Sequence, residues 1–500
     1  MHVNRRDFLR RSLYAALGGV GLHSAAGTLQ LIAAAAASTR RYAFDDYKAL
    51  VCIYLYGGND SFNTVVPYDA AHYALYRQSR AGLVADGGLA LDQAAIQANS
   101  LSPLAASGGL PGGLPGDGGA YGLHPALAEL RALFNGGKAA IVANVGTLLY
   151  PITQADYQNG TVPAPAQLFS HDDQTTQWQT SRPDDANANG WGGRVADLLY
   201  AANAGPTPMS ISLSGDNRFQ RGAIVNAYAV DAYGAAAAAT GGDNPPFGVS
   251  GMSYRGDGPE SWVIGDNPDG LAAYQALIAG GAQAHVLERA YADSATRALA
   301  NASALNAALG GATLATRFPD TELGNQLAAV ALMIKVRAAL GMSRQVFFVS
   351  AGNYDTHSNQ IADQQDNLVQ LSQALAAFYA ATVELGVADG VTAFTASDFG
   401  RSLAVNSTGT DHGWGGHHFV VGGGVRGQRF YGTMPSLAQN TDADPHANPD
   451  DTGYGQIIPT LSVDQYAATL ASWFGVDAGG IADLFPNLGR FDLPNLRFMG

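Results

Sequence analysis

The pattern that decides the fold lies in residues 345–401, QVFFVSAGNYDTHSNQIADQQDNLVQLSQALAAFYAATVELGVADGVTAFTASDFGR. Apolar runs at residues 345–350 and 391–395 each predict a buried strand. The residues between them predict a helix over about 359–385, because apolar side chains recur there at helical spacing: Leu368, Leu371, Leu375 and Phe378. Crossovers of this kind are right-handed and join parallel strands, so the loops after both strands should emerge at one edge of a sheet.

Polar residues with metal-binding chemistry follow both of these strands. Asp355 and His357 come after the first strand, and Asp398 and Arg401 after the second. Parallel strands present these loops at the same edge, so we expect Asp355 and His357 to lie near Asp398. Asp and His side chains are ligands for Zn²⁺, Mn²⁺ and iron.

The loop that follows continues this chemistry. It carries Asp411, His412, His417 and His418, so that three of the eleven histidines fall within seven residues. Glycines between them allow a loop to fold tightly around an ion. Histidines in loops are also common without a metal, so this segment alone leaves metal binding and an ordinary polar loop open.

The start of the globular part repeats the arrangement of a strand followed by an acid. An apolar run at residues 50–56 predicts a strand, and Gly57-Gly58-Asn59-Asp60 follows it. A helix over 124–134 and a strand over 139–145 would complete a β-α-β unit. Asp60 would then lie at the carboxyl edge of the sheet, where α/β proteins keep their sites, although a helix cap by Asp60 or Ser61 is an equal alternative.

Composition excludes several classes of protein. The 500 residues are 47% hydrophobic and 14% charged, which is typical of a folded globule. The formal charge is −14, and the sequence has no basic stripe, so we expect no nucleic-acid partner. The single cysteine, Cys52, lies in an apolar run and is predicted to be a buried structural thiol.

Residues 1–37 have the pattern of a twin-arginine signal peptide. Arg5 and Arg6 precede an apolar, small-residue stretch, and several A-x-A cleavage points follow. The apolar stretch is too short and too rich in glycine for a stable membrane span. These features predict export by the twin-arginine machinery and a periplasmic or secreted protein.

We interpret residues 38–500 as one α/β domain. A Gly- and Pro-rich excursion is expected at 79–122 and an insertion at 205–265. A helix over 462–474 should begin at Ser462 as its N-cap. Gly422, Gly424 and Gly427 match G-x-G-x-x-G, but the following residues predict a strand, so a hairpin turn is expected and not a dinucleotide site. The chain has no G-x-S-x-G nucleophile elbow.

Several of these motifs together resemble a family of secreted bacterial proteins, domain of unknown function 1501. They are the twin-arginine start, YGGNDSFN (56–63), YDTHSNQ (354–360), SDFGR (397–401) and TDHGWGGHHFVVGG (410–423). That family is grouped with the alkaline phosphatase and sulfatase superfamily. The resemblance covers essentially the whole mature chain and implies an alkaline phosphatase-like fold, with a mixed, mainly parallel sheet between helices and a site at the carboxyl ends of its strands.

The resemblance also implies a set of metal ligands. Two divalent ions, of Zn²⁺, Mn²⁺, Mg²⁺ or Ca²⁺, would stabilise both oxygens of an in-line displacement. Matched to the motifs, the ligands would be Asp60, Asp355, His357, Asp398 and His412, completed by His417 or Asp411. We expect these side chains to converge in one pocket.

The implied activity is hydrolysis of a small phosphate or sulfate ester. Arg401 would hold the oxyanion of the substrate. The chain has Phe399 where relatives have a histidine ligand and Gln167 at the position of the nucleophile. The attacking group could therefore be Ser170 or a water molecule. The alternative is a non-enzymatic exported protein whose metal site serves only the fold.

Overall fold

The computed structural model describes residues 44–106, 112–205, 207–241, 285–441 and 443–500, together with positions 42 and 276. The predicted signal peptide and, of the predicted insertion at 205–265, position 206 and residues 242–265 lie outside these residues. Within them, no helix has the length and apolar character needed to cross a membrane.

Thirteen strands occur in the described residues. They are β1 (Lys48–Leu55), β2 (Val65–Pro67), β3 (Tyr121–Leu123), β4 (Ala139–Gly146), β5 (Ser210–Ser212), β6 (Tyr228–Ala229), β7 (Arg344–Ala351), β8 (Val391–Ser397), β9 (Arg401–Asn406), β10 (Gly409–His412), β11 (Gly416–Gly422), β12 (Phe430–Tyr431) and β13 (Leu461–Ser462).

Twelve α-helices occur in the same residues. They are α1 (Ala70–Ser79), α2 (Gln93–Ala98), α3 (Ala128–Asn135), α4 (Gln154–Asn159), α5 (His171–Thr180), α6 (Trp191–Leu199), α7 (Ala235–Ala239), α8 (Val286–Leu309), α9 (Glu322–Lys335), α10 (Gln360–Glu384), α11 (Val463–Phe474) and α12 (Ala478–Leu484).

A nine-stranded sheet forms the centre of the molecule. Its order is β12-β4-β11-β8-β1-β7-β5-β6, with β13 also paired to β4. Only β11 runs antiparallel to its neighbours, so the sheet is mixed and mainly parallel, as predicted. The expected hairpin after β11 is wrong, because β11 and β12 lie on opposite sides of β4 and do not pair with each other. The residues after Gly427 do form a strand.

Two apolar layers cover the faces of the sheet. Along β1, alternate side chains such as Val51 and Ile53 pack into one core with α3, α9 and α10. Cys52 and Tyr54 point to the other face and pack with α6, α11 and α12. Cys52 is buried and free, as the sequence predicts. Burial on both faces explains why the central strands are almost continuously apolar.

The predicted crossover from β7 to β8 is confirmed, with one addition. β7 and β8 are both parallel to β1, which lies between them. In register, Leu55 pairs with both Ala351 and Ser397, so all three strands end at the same level. Helix α11 begins with Ser462 as its N-cap, as predicted, and the Ser462 side chain accepts a hydrogen bond from the Gln465 N–H.

His124 gives the fold a measurable dependence on pH. The residue is 4% exposed, its Nδ1 accepts the Ala126 N–H (3.1 Å), and burial lowers its pKa to about 4. Between pH 6.5 and 4 the His124 ring therefore binds a proton in the unfolded chain but not in the folded chain. Proton binding by the unfolded chain favours unfolding, so the free energy of unfolding falls as the pH falls through this range. His124→Asn keeps an acceptor for Ala126 but does not titrate.

We therefore expect the free energy of unfolding to fall less steeply with acid in His124→Asn than in the wild type. The slopes should differ by up to about 1.4 kcal/mol per pH unit within this window, as measured by urea denaturation at a series of pH values. Equal slopes would mean that His124 is protonated in the folded protein.

Candidate metal centre

A cluster of imidazole and carboxylate groups lies at the carboxyl edge where β1, β7 and β8 end together. His171, Asp355 and His412 each offer one ligand atom, and these atoms lie within 4.8 Å of one another. The Nε2 atom of His171 is 3.5 Å from Asp355 Oδ2, and the Nε2 atom of His412 is 3.5 Å from Asp355 Oδ1. The three residues come from the start of α5, the loop after β7 and the end of β10.

Oxygen acceptors orient both imidazoles of the cluster. His171 Nδ1 is 2.8 Å from Asp398 Oδ2, and His412 Nδ1 is 2.7 Å from the carbonyl oxygen of Phe169. In each ring the proton must therefore reside on Nδ1, which in the neutral form leaves the lone pair on Nε2. Carboxylate and carbonyl partners of this kind are what metal-ligating histidines use.

His357 adds a third imidazole at the solvent side. Its Nδ1 is 3.2 Å from Asp411 Oδ1, and its Nε2 is 2.9 Å from His412 Nε2 and 3.2 Å from Asp355 Oδ1. The same pattern of bonds therefore directs a third Nε2 toward Asp355. The side chains of His357 and Asp411 are 43% and 61% exposed, which leaves this side of the cluster open to small molecules.

The buried residue Arg401 holds Asp355 in place. Its Nη1 donates to Asp355 Oδ1 (2.5 Å) and to the Gly57 carbonyl (3.2 Å), while Nη2 donates to the carbonyl of Thr410. Burial raises the pKa of Asp355, but the hydrogen bond and charge of Arg401 outweigh it, so the net pKa lies below the ordinary value. Asp355 is therefore a carboxylate at neutral pH.

The remaining shifts in pKa follow from the same contacts. The hydrogen bond to Asp398 raises the pKa of His171 above its ordinary value. Burial lowers the pKa of His412, although its bond to Phe169 acts in the opposite direction. A proton and a metal ion would therefore compete for Nε2 of His171 more strongly than for Nε2 of His412.

Two unusual backbone conformations shape the cluster. Gly57 has φ +115°, and a Cβ atom there would lie 2.3 Å from the Asp355 nitrogen, so only glycine lets the two loops approach this closely. Phe169 has φ +71°, a region that is costly for a bulky side chain. This strained residue supplies the carbonyl that orients His412, and strain of this kind is concentrated at functional sites.

Other predicted site residues have different neighbours. Asp60 is buried and bonded to Arg80 (2.6 Å) and Gln360 (2.5 Å). His417 is buried in β11, where its Nδ1 accepts the Asn144 N–H, and burial lowers its pKa to about 3. The structure thus brings together Asp355, His357, Asp398, Asp411 and His412, while Asp60 and His417 have protein partners outside the cluster.

The two predicted catalytic side chains, Ser170 and Arg401, are also engaged in hydrogen bonds within the protein. The hydroxyl of Ser170 donates to Asp173 Oδ2 (2.7 Å). Arg401 was predicted to hold an oxyanion, but its side chain is 0% exposed and it bonds to protein oxygens. Arg401 therefore positions Asp355 in this arrangement.

His171 is a potential ligand that the sequence motifs do not single out. Its only signal was its position directly after Ser170, at the start of a polar helix. The ring of Phe399 packs with its centroid 4.8 Å from the ring centroids of both His171 and His412. An apolar ring thus stands beside the cluster, and the additional imidazole comes from α5.

The donor set fits a first-row transition metal. Nε2 of His171 is buried and has no hydrogen-bond partner in the described residues, as expected for a nitrogen atom whose function is to bind a metal ion. Imidazole suits zinc, copper, iron and nickel, whereas Mg²⁺ and Ca²⁺ require oxygen ligands. Of the ions expected from the sequence, Zn²⁺ fits these residues best, and Mn²⁺ fits less well.

A protein family of unknown function, DUF1501, matches residues 269–475. The chain is similar to DUF1501 over that range. The match includes Asp355, Asp398 and His412 and supports the resemblance found in the motifs, whereas His171 lies outside it. No curated protein matches the chain.

Proposed function

We propose that this protein is an exported, metal-dependent hydrolase of small phosphate or sulfate esters. The observation that carries the proposal is the orientation of His171, His412 and His357, each with Nδ1 beside an oxygen acceptor and Nε2 within 3.5 Å of the Asp355 carboxylate. The export component rests on the N-terminal arginine motif alone. A superfamily relationship to alkaline phosphatases and sulfatases is part of the proposal.

Each residue of the cluster would have a distinct role. The ion would be held by Asp355, His171 and His412, and His357 would be a further ligand on the solvent side. A bound divalent ion supplies Lewis acidity that polarises an ester oxygen. Asp398, Asp411 and the Phe169 carbonyl would orient the imidazoles, while Arg401 keeps Asp355 ionised.

Water is the attacking group that the contacts favour. The Ser170 hydroxyl is bonded to Asp173, and among the described residues no hydrogen bond links it to the cluster. The open side formed by His357 and Asp411 admits solvent. Ser170→Ala separates the two nucleophiles.

A second candidate function is a metal site that serves only the fold. It is favoured by the state of Arg401, whose buried side chain is bonded to protein oxygens and does not face a substrate. In that case binding of metal would stabilise the folded state and no ester would be hydrolysed.

Hydrolysis of aryl phosphates and aryl sulfates by the zinc-loaded protein tests these functions. We expect turnover that a chelator removes and zinc restores. Ser170→Ala should lose less than about tenfold in kcat, whereas removal of a covalent nucleophile costs on the order of 10⁶-fold. If zinc binds and raises Tm but no mono- or diester is hydrolysed, the metal site serves only the fold and the proposed hydrolase activity is wrong.

A further inference from the structure

The position of Asp60 bears on how many ions the site holds. Its side chain is 0% exposed, and both oxygens are engaged by protein donors. Oδ1 accepts Arg80 Nη2 (2.6 Å) and the Phe62 N–H (3.0 Å), and Oδ2 accepts Gln360 Nε2 (2.5 Å). A carboxylate in this state has no oxygen directed at the cluster.

Arg80 places a buried positive charge directly beside Asp60. Its side chain is 0% exposed, its Nη1 donates to the Ser402 carbonyl (3.2 Å), and its guanidinium lies over the Phe62 ring. Arginine remains protonated in proteins. A divalent ion bound at Asp60 would therefore meet a fixed positive charge in a buried setting, where repulsion is strong.

A chain of hydrogen bonds joins this ion pair to the metal cluster. Gln360 bonds Asp60 through Nε2 and accepts the Thr410 hydroxyl at Oε1 (2.7 Å). Thr410 Oγ1 in turn accepts Arg401 Nε (3.3 Å), and Arg401 donates to Asp355. The charges of Arg80, Asp60, Arg401 and Asp355 thus alternate in sign along this chain of hydrogen bonds.

We infer that the site binds a single metal ion, because Arg80 neutralises Asp60 and protein donors engage both oxygens of this carboxylate, which a second ion would require. The inference rests on the proposed function, since it presupposes that the cluster binds metal. It assigns a positioning role to Thr410, which contacts Arg401 directly and donates to Gln360, while Arg401 presents Asp355 to the one ion.

Zinc stoichiometry of the purified full-length protein tests this inference. We expect one equivalent of Zn²⁺ after dialysis against zinc buffer, as measured by inductively coupled plasma mass spectrometry. Asp60→Asn should also bind one equivalent, with Kd within about threefold of the wild type, a smaller effect than the 10- to 100-fold typical for partners of metal ligands. A flip of the Gln360 amide can satisfy the new asparagine.

Each result has a distinct meaning. Two equivalents in the wild type, or loss of zinc from folded Asp60→Asn, overturns the single-ion assignment while leaving the proposed function intact. No bound zinc in the wild type overturns both. Should Asp60→Asn fail to fold, the double variant D60N/R80M removes both charges together, and it must retain one equivalent.

Discussion

His412→Ala is expected to abolish zinc binding. The variant loses one of three ligand atoms that lie within 4.8 Å of one another, so Kd for Zn²⁺ should rise by more than about 100-fold. Because binding to the folded state stabilises it, zinc at 100 times the wild-type Kd should add about 2.7 kcal/mol to wild-type stability and almost nothing to the variant. Isothermal titration calorimetry and Tm with and without zinc measure both effects.

His72→Ala is the matched control for this prediction. His72 is also an accessible imidazole between two carboxylates, with Nδ1 2.9 Å from Asp69 and Nε2 3.6 Å from Asp117. Its neighbours do not form a ligand group in the described residues. His72→Ala should therefore keep the wild-type Kd. Retained zinc affinity in His412→Ala would remove the cluster as the metal site.

Much of the fold could be predicted from local patterns. The apolar runs and helical spacing of residues 345–395 predict β7, α10 and β8, and the rules of parallel crossovers place Asp355 and Asp398 at one edge. The pairing of strands was harder to predict. β11 lies antiparallel between β4 and β8, and no turn chemistry in the sequence distinguishes that position from a hairpin with β12.

The adjacent histidines His417 and His418 lie in a strand and not in the metal-binding loop that the sequence suggests. His417 and His418 look like ligands in a glycine-rich loop, but the apolar residues that follow them continue a strand. Both residues therefore belong to β11, and both are buried. A motif rich in histidine and glycine shows that residues able to bind a metal are present. Whether a given histidine can reach the site depends on whether it lies in the loop or continues the following strand, where side chains point alternately to the two faces of the sheet.

Long-range contacts account for the other differences. His171 meets Asp398, which is 227 positions away, and Asp60 is neutralised by Arg80, at the start of the predicted excursion. Neither contact has a local signature in the sequence, because it depends on where two loops meet after the sheet has formed. Sequence spacing could therefore identify Asp355 and His412 as candidate ligands, but it could not identify His171 as the third candidate or Arg80 as the cation that neutralises Asp60.

Arg401→Met is expected to reduce both stability and metal affinity. The guanidinium is fully buried, and its removal leaves the carbonyls of Gly57 and Thr410 without these donors. Each buried group that loses its partner costs about 1–3 kcal/mol, so the free energy of unfolding should fall by about 3 kcal/mol. Asp355 is 44% exposed, so its charge is partly solvated and adds less than a fully buried one would.

Two further variants test whether the buried pair of Arg401 with Asp355 causes these losses of stability and zinc affinity. Arg221→Met removes a comparable pair with Asp216, but both side chains are exposed, so stability should change by less than about 1 kcal/mol in urea denaturation. R401M/D355N should be more stable than the sum of the two single losses predicts, because the pair is coupled, yet it should bind no zinc. If Arg401→Met keeps wild-type stability and zinc affinity, Asp355 is held by other contacts, and the positioning role of Arg401 is wrong.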